Sequence, residues 1–258
     1  MSKKMENKLK YEGSVIHNNK YGDIVVVEYK TTEKVTAQFV KTGFTVTTSL
    51  DNLLRGSVKD RFSPTVYGIG ILGNAKCNVD GVKTKEYGVW RKMLQRCYCP
   101  LYIEKRPTYA DCYVSDEFKK LEVFRLWCLN QPNFNEVDDR GRSFELDKDI
   151  LVKGNKVYSP ETCCFVPSEV NLLFSKTGKL RGSLPIGVSA NGHGGYRASL
   201  WCHGKHKTLG QFKTCEEAFQ AYKVAKESYI KEVANKWKGK LTKETYSAML
   251  NYVVSEND

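Results

Sequence analysis

Long apolar runs are missing from this sequence: no stretch approaches the ~20 consecutive apolar residues that a membrane-crossing helix needs. A helical membrane protein is therefore not expected. The opening residues, MSKKMENKLKYEG, have no apolar core of the kind a secretory signal carries, so the expected location is the cytoplasm. Nine cysteines are present without a single C-x-x-C pair, which removes the usual spacing of a structural zinc knuckle and argues against structural zinc. In a reducing compartment these cysteines read as free thiols, several of them core residues. Histidine is scarce, with only His17, His193, His203 and His206 in 258 residues. No internal repeat or low-complexity segment is visible.

What is present suits a folded, polyanion-binding protein. Hydrophobic residues make up 41% and aromatics 12%, enough for packed cores in one large domain or two to three small ones. The formal net charge is +12. Between Lys176 and Lys240 there are 13 Lys/Arg against 4 Asp/Glu, so most of the excess lies in one quarter of the chain. That concentration reads as an electrostatic footprint for a nucleic acid. Charge alone leaves RNA and an anionic membrane surface open.

Hydrophobic periodicity divides the chain into modules of an α+β protein. Residues 1–62 comprise a loose basic arm (1–10) and a small antiparallel β module. Its strands are Ile24–Tyr29, Lys34–Phe39 and Phe44–Ser49, in which Val35, Ala37 and Phe39 alternate with polar residues. Residues 63–85 form a glycine-rich connector. Residues 86–175 form a mixed middle module. There Trp90, Met93, Leu94 and Cys97 follow helical spacing, and Ser115 is placed to cap a second helix with Leu121, Phe124 and Cys128 on its buried face. A basic linker spans 176–185. Residues 186–236 read as three strands, Gly187–Asn191, Tyr196–Trp201 and His206–Phe212, followed by a helix opened by the capping box Thr214-Cys-Glu-Glu217. A tail, 237–258, has helical pattern from Lys243 to Val254.

Alternation gives the third module a testable face. Ala198 and Leu200 should pack on the helix, leaving Arg197, Ser199 and Trp201 outward. Leu209 and Phe212 should anchor the last strand, with His206 and Thr208 outward. A small sheet of this kind fits the major groove of duplex DNA. The string from Gly187-Val188 through Gly195-Tyr196, Leu209-Gly210-Gln211-Phe212 and Thr214–Ala218 to Ala221-Tyr222 resembles the DNA-binding domain of the ethylene-response-factor (APETALA-two) family. The resemblance covers about fifty residues. It implies base or backbone contacts from Ser189, Asn191, His193, Ser199, Trp201, His206 and Thr208, and double-stranded DNA as the partner. Arg197, Lys205 and Lys207 would add charge-assisted contacts. Several contact positions that are arginine in the plant proteins are Ser189, Asn191, Trp201 and His206 here, so the plant target sequence is not carried over.

Residues Leu146 to Asn171 resemble the HNH nuclease hairpin and helix. Asp147-Lys148-Asp149 matches the end of the first strand, Gly154-Asn155 the turn, and Glu161 and Asn171 fall near the closing helix. The resemblance implies a divalent metal, Mg²⁺ or another, held by Asp147, Asp149 and Asn171, with catalytic roles for Asp147, Lys148 and Asn155. The departure is Lys148, which stands where the family carries its general-base histidine. An unperturbed lysine titrates near 10.4 and its acidic neighbours favour the charged form, so it is a poor base at neutral pH. Together the two resemblances imply a phage protein of the homing-endonuclease type, working in the cytoplasm of a bacterial host. Two outcomes stay open: metal-dependent nicking or cleavage without the histidine, and a non-enzymatic DNA-binding regulator on a retired nuclease frame. The sequence leaves the oligomeric state and the role of the N-terminal β module undetermined.

Overall fold

A computed structural model describes residues 2–175, 184–256 and 258. The chain is α+β, and each strand pairing given below is antiparallel. It divides into two compact units, Met1–Leu126 and Trp127–Asp258. The division falls inside the stretch 86–175 that the sequence reads as one module. No helix among the described residues is long and apolar enough to cross a membrane.

The first unit opens on helix α1 (Lys3–Tyr11), where the sequence suggests a loose arm. None of its residues is buried, so periodicity gave no sign of it. A four-stranded meander follows: β1 (Val15–Asn18), β2 (Gly22–Thr31), β3 (Lys34–Phe39) and β4 (Thr45–Thr48). A register shift between Val26 and Glu28 inserts one residue into β2. That extra residue reverses the side-chain parity, so Ile24, Val26 and then Tyr29 face inward. They pack with Val35, Ala37 and Phe39 of β3 beneath helix α2 (Leu50–Leu54), whose Leu50 and Leu53 are buried.

Further along, β5 (Asn78–Val79) and β6 (Val82–Lys83) form a hairpin turned at Asp80-Gly81, both at positive φ, as a tight two-residue turn demands. Helix α3 (Lys85–Tyr98), capped by Thr84, buries Trp90, Met93, Leu94 and Cys97 as their spacing foretells. Helix α4 (Pro100–Lys105) and strand β7 (Tyr113–Val114) follow. Ser115 does not cap a helix. It closes a turn, accepting from Phe118 N–H at 3.4 Å, and α5 (Leu121–Asn130) begins only after Lys120 has bridged to Ile71.

The second unit contains both candidate sites. Strand β8 (Glu145–Asp147) pairs with β10 (Cys164–Val166), with β9 (Val157–Tyr158) between them in sequence, and α6 (Ser168–Leu173) follows. After the undescribed residues 176–183 comes a sheet of β11 (Val188–Ala190), β12 (Tyr196–Cys202) and β13 (Lys205–Phe212), in that order. Helix α7 (Cys215–Trp237), with its capping box formed, and α8 (Lys243–Leu250) complete the chain. The first half of α7 buries Ala218, Phe219 and Tyr222, and the sheet packs on this helix. Its second half presents Ile230, Val233, Ala234 and Trp237 to the rest of the unit. There Trp237 meets Phe144 edge to face at 6.0 Å and donates from Nε1 to Glu169 at 2.8 Å. Asn133 donates to Lys240 O at 3.4 Å, and Lys153 holds Asp258 at 2.8 Å. The sheet, its helix, the β8 hairpin and the terminal segment thus share one compact unit rather than standing apart at 176–185 and 237.

Candidate nucleic-acid interface and carboxylate hairpin

The outer face of the three-stranded sheet is defined by its register. Directly opposed pairs share a face: Ser189 with Arg197, Arg197 with Gln211, Ser199 with Thr208, and Trp201 with His206. Ala198, Leu200 and Cys202 are buried on the other face, against the helix. The outer face therefore carries a polar row ending in a tryptophan that is 64% exposed. Of the residues proposed from sequence, Ser189, Arg197, Ser199, Trp201, His206 and Thr208 come together on it.

Lys205 and Lys207 do not join them. Their register partners are Cys202 and Leu200, which places both lysines on the helix-facing side at the edge of the sheet. They alternate with His206 and Thr208, so plain period-two alternation sets them on the other side; further along, β12 steps from Ala198 opposite Gly210 to Ser199 opposite Thr208, so Leu209 is an extra residue on β13. Leu209 and Phe212 are accordingly half-buried rather than full anchors. Arg197, Lys205 and Lys207 have no ion-pair partner among the described residues.

Asn191 and His193 lie in the β11–β12 loop. Asn191 Oδ1 accepts the N–H groups of His193 and Gly195, both at 3.0 Å, and its Nδ2 donates to Gln211 at 3.3 Å. Asn191 thus shapes the loop and steadies Gln211, a face residue that sequence reasoning missed. Counting alternation back one residue from Phe212, the expected anchor, would have found it.

The hairpin that follows β8 is cross-linked by its own polar groups. Lys148 is buried at 5% exposure, with Nζ 2.7 Å from Asp149 Oδ1 and 2.9 Å from the carbonyl of Asn155. Asn155 returns two bonds of 2.7 Å from Nδ2, to Lys148 O and Val157 O, and accepts from Val157 N–H. Asp147 Oδ1 accepts the N–H groups of Asp149 and Ile150 at 2.7 and 2.9 Å. Burial, followed by the neighbouring Asp149, raises the Asp147 carboxyl above the usual carboxylate range. Asn171 on α6 donates to Glu145 at 2.6 Å, not to either aspartate. The expected ligand trio of Asp147, Asp149 and Asn171 is thus divided among separate hydrogen-bond partners. Glu145, which shares a strand face with Asp147, was not anticipated.

Nearby, Cys163 and Cys164 are buried thiols. Burial and then the charge of Asp147 push the Cys164 thiol up to about 12, which makes it an inert core group. Glu161 is held below its ordinary value by its hydrogen bond with Ser159. The nine cysteines are all free. Among the described residues, no three His, Cys, Asp or Glu side chains form a metal-holding group.

Comparison of the chain with protein-family models, curated proteins and solved structures found no match.

Proposed function

We propose that the chain is a double-stranded-DNA-binding protein that reads the major groove with the outer face of β11, β12 and β13. The observation that carries this reading is the register itself. It aligns Arg197, Ser199, Trp201, His206, Thr208 and Gln211 on one uncovered face, backed by a capped helix. A two- or three-stranded sheet matches the groove's width, and these side chains supply donors, acceptors and an apolar contact for base edges. The basic excess of the same region supports attraction to phosphates.

A second reading, metal-dependent nicking of the bound DNA, rests on a different observation. Glu145 and Asp147 alternate on one face of β8, and Asn171 is bonded to Glu145. These three would be the residues to hold Mg²⁺, whose chemistry would be Lewis-acid stabilisation of a leaving oxygen. Lys148 and Asn155 act in this reading as the struts that fix the hairpin. The competing role for the hairpin is a purely structural one, with the protein acting as a non-enzymatic regulator.

One experiment separates these outcomes. The purified chain is incubated with supercoiled plasmid in Mg²⁺, Mn²⁺ or EDTA, alongside a gel shift on duplex DNA across a salt series. Salt-sensitive binding supports the DNA reading, and an absence of any shift at 50 mM salt would remove it. Metal-dependent nicking lost in both Asp147→Ala and Glu145→Ala identifies a nuclease. Binding without nicking in either metal leaves the regulator.

A further inference from the structure

Unit Trp127–Asp258 holds a cavity of about 860 Å³ that meets the proposed DNA-reading face at Ser199 and Trp201 and extends away from it. It opens beside β12 because β11 is short. The last pairing of β11 is Val188 with Ala198, and Gly187 O then takes the Ser199 N–H at 2.9 Å. Among the described residues no strand follows along Leu200–Cys202 on that side. The remaining walls come from α6, α7 and the loop of residues 138–142.

Two features of the lining point to a ligand. The first is aromatic. Trp201 lines the cavity while staying 64% exposed, and Tyr229 stands in the opposite element with His203 against its ring at 5.0 Å. The Tyr229 hydroxyl is already engaged by His203 N–H at 3.2 Å, which fixes the ring. The second is a charge imbalance. The three carboxylates of the lining are committed: Asp138 to Arg142 at 2.6 Å, Asp139 to Lys236 at 3.2 Å and Glu169 to Lys236 at 2.6 Å. Arg140 and Lys226 also line the cavity and have no ion-pair partner among the described residues. The anion closest in influence to Lys226 is Asp258, and that carboxylate is held by Lys153 at 2.8 Å and by Ser255. Burial lowers the Lys226 ammonium below its ordinary value, as expected of a cation withdrawn from water without a counter-ion. Two spare cations and a pair of aromatic surfaces in a cavity of ligand size are the recognition elements of a base joined to a phosphate.

We propose that this cavity binds a nucleoside phosphate, with the base against Trp201 and Tyr229 and the phosphate between Arg140 and Lys226. The site shares Trp201 with the proposed reading face, while its phosphate end, Arg140 and Lys226, lies outside that face. The same chemistry is offered by a free mononucleotide and by one unit of a single strand.

The test is calorimetric titration of the full chain with dTMP, thymidine, inorganic phosphate and a dT octamer. We expect dTMP to bind at least tenfold more tightly than thymidine or phosphate. Lys226→Gln and Arg140→Gln should each weaken dTMP binding about tenfold without lowering Tm. Arg140 is exposed, so its variant keeps the test valid if Lys226→Gln unfolds. An octamer that binds more tightly than dTMP assigns the pocket to a single strand, and equal affinity assigns it to the free nucleotide. No binding of dTMP, binding no tighter than phosphate, or binding untouched by the variants overturns the proposal. A gel shift on duplex DNA with the same variants should be unchanged, so loss of the pocket and loss of the reader are told apart.

Discussion

Lys148 and Asp149 are neighbours in sequence and an ion pair in space, Nζ to Oδ1 at 2.7 Å, with the lysine side chain 6% exposed and the aspartate 44%. The pair is lopsided: one charge is withdrawn from water and its partner is only half covered. Removing the aspartate takes from the buried ammonium its anionic partner, while the Asn155 carbonyl and the Tyr158 ring stay in place. Asp149→Asn should therefore destabilise the protein by about 1.5–3 kcal/mol, the range for a hydrogen bond to a charged group. Urea unfolding at pH 7 would measure it. An unchanged midpoint would show that the Lys148 cross-link contributes nothing to the hairpin.

Arg197 and Lys207 sit on the same small sheet with opposite outlooks. Arg197→Ala should cost about 1–3 kcal/mol of duplex affinity, because its side chain lies in the reading face. Lys207→Ala should spare sequence preference and at most lower the salt slope by about 1, as loss of a phosphate contact would. Gel shifts on matched and scrambled duplexes over a salt series check both. Equal effects of the two variants would contradict the register.

Gly187 has φ +75°, and a Cβ placed on it would lie 2.0 Å from the Tyr222 ring. Gly187→Ala combines backbone strain with a collision in the core under the sheet, at a cost of about 1–3 kcal/mol. The expected readout is a lower Tm with a parallel fall in DNA affinity. A Tm equal to the parent would mean the ring moves aside freely.

Asp138 accepts from Arg142 Nε at 2.7 Å and from the N–H groups of Arg140 and Arg142. The Arg142 guanidinium leads these in holding the carboxyl down to about 2, below its ordinary 3.8. A carboxyl depressed in the folded state adds stability that is complete above its unfolded value and is lost as pH falls through the folded one. The loop 138–142 should therefore tighten the fold above about pH 4 and release it between about pH 4 and 2. Unfolding midpoints at pH 7, 4 and 3 should fall more steeply for the parent than for Asp138→Asn.

The sequence exposed those parts of the fold whose signal is local. Trp90, Met93, Leu94 and Cys97 announce α3, and Thr214 with Glu217 announces α7, because each needs only neighbours within two turns. Ser115 misled because a cap is read from a residue and its next three. What delays α5 is the bridge from Lys120 to Ile71, 49 positions back. Lys3–Tyr11 gave no signal because nothing in it is buried. On the reading face, period-two alternation placed Arg197, Ser199 and Trp201 correctly on the outer side. The same alternation, with His206 and Thr208 outward, sets Lys205 and Lys207 on the other side; what it cannot show is the extra residue at Leu209, which has no mark in the string of letters. Asp147, Lys148 and Asn155 were visible as a cluster. The bonds between Lys148 and Asn155 are local to the hairpin, whereas the partnership of Asn171 with Glu145 depends on a helix that returns 26 residues later.

Helix α7 carries Tyr222 under the reading sheet and, four turns on, Trp237 against Phe144 and Glu169 of the hairpin region. One rod thus serves two tenants, and neither can be exchanged at the apparent seam of residues 176–185 without evicting part of the other. A chimera that imported a foreign reader there would bring its own helix, leaving Phe144 facing a stranger and Glu169 without the indole. On the proposed DNA-binding reading, new specificities would arise by changing side chains on the sheet, because shuffling whole modules would break the spine they share.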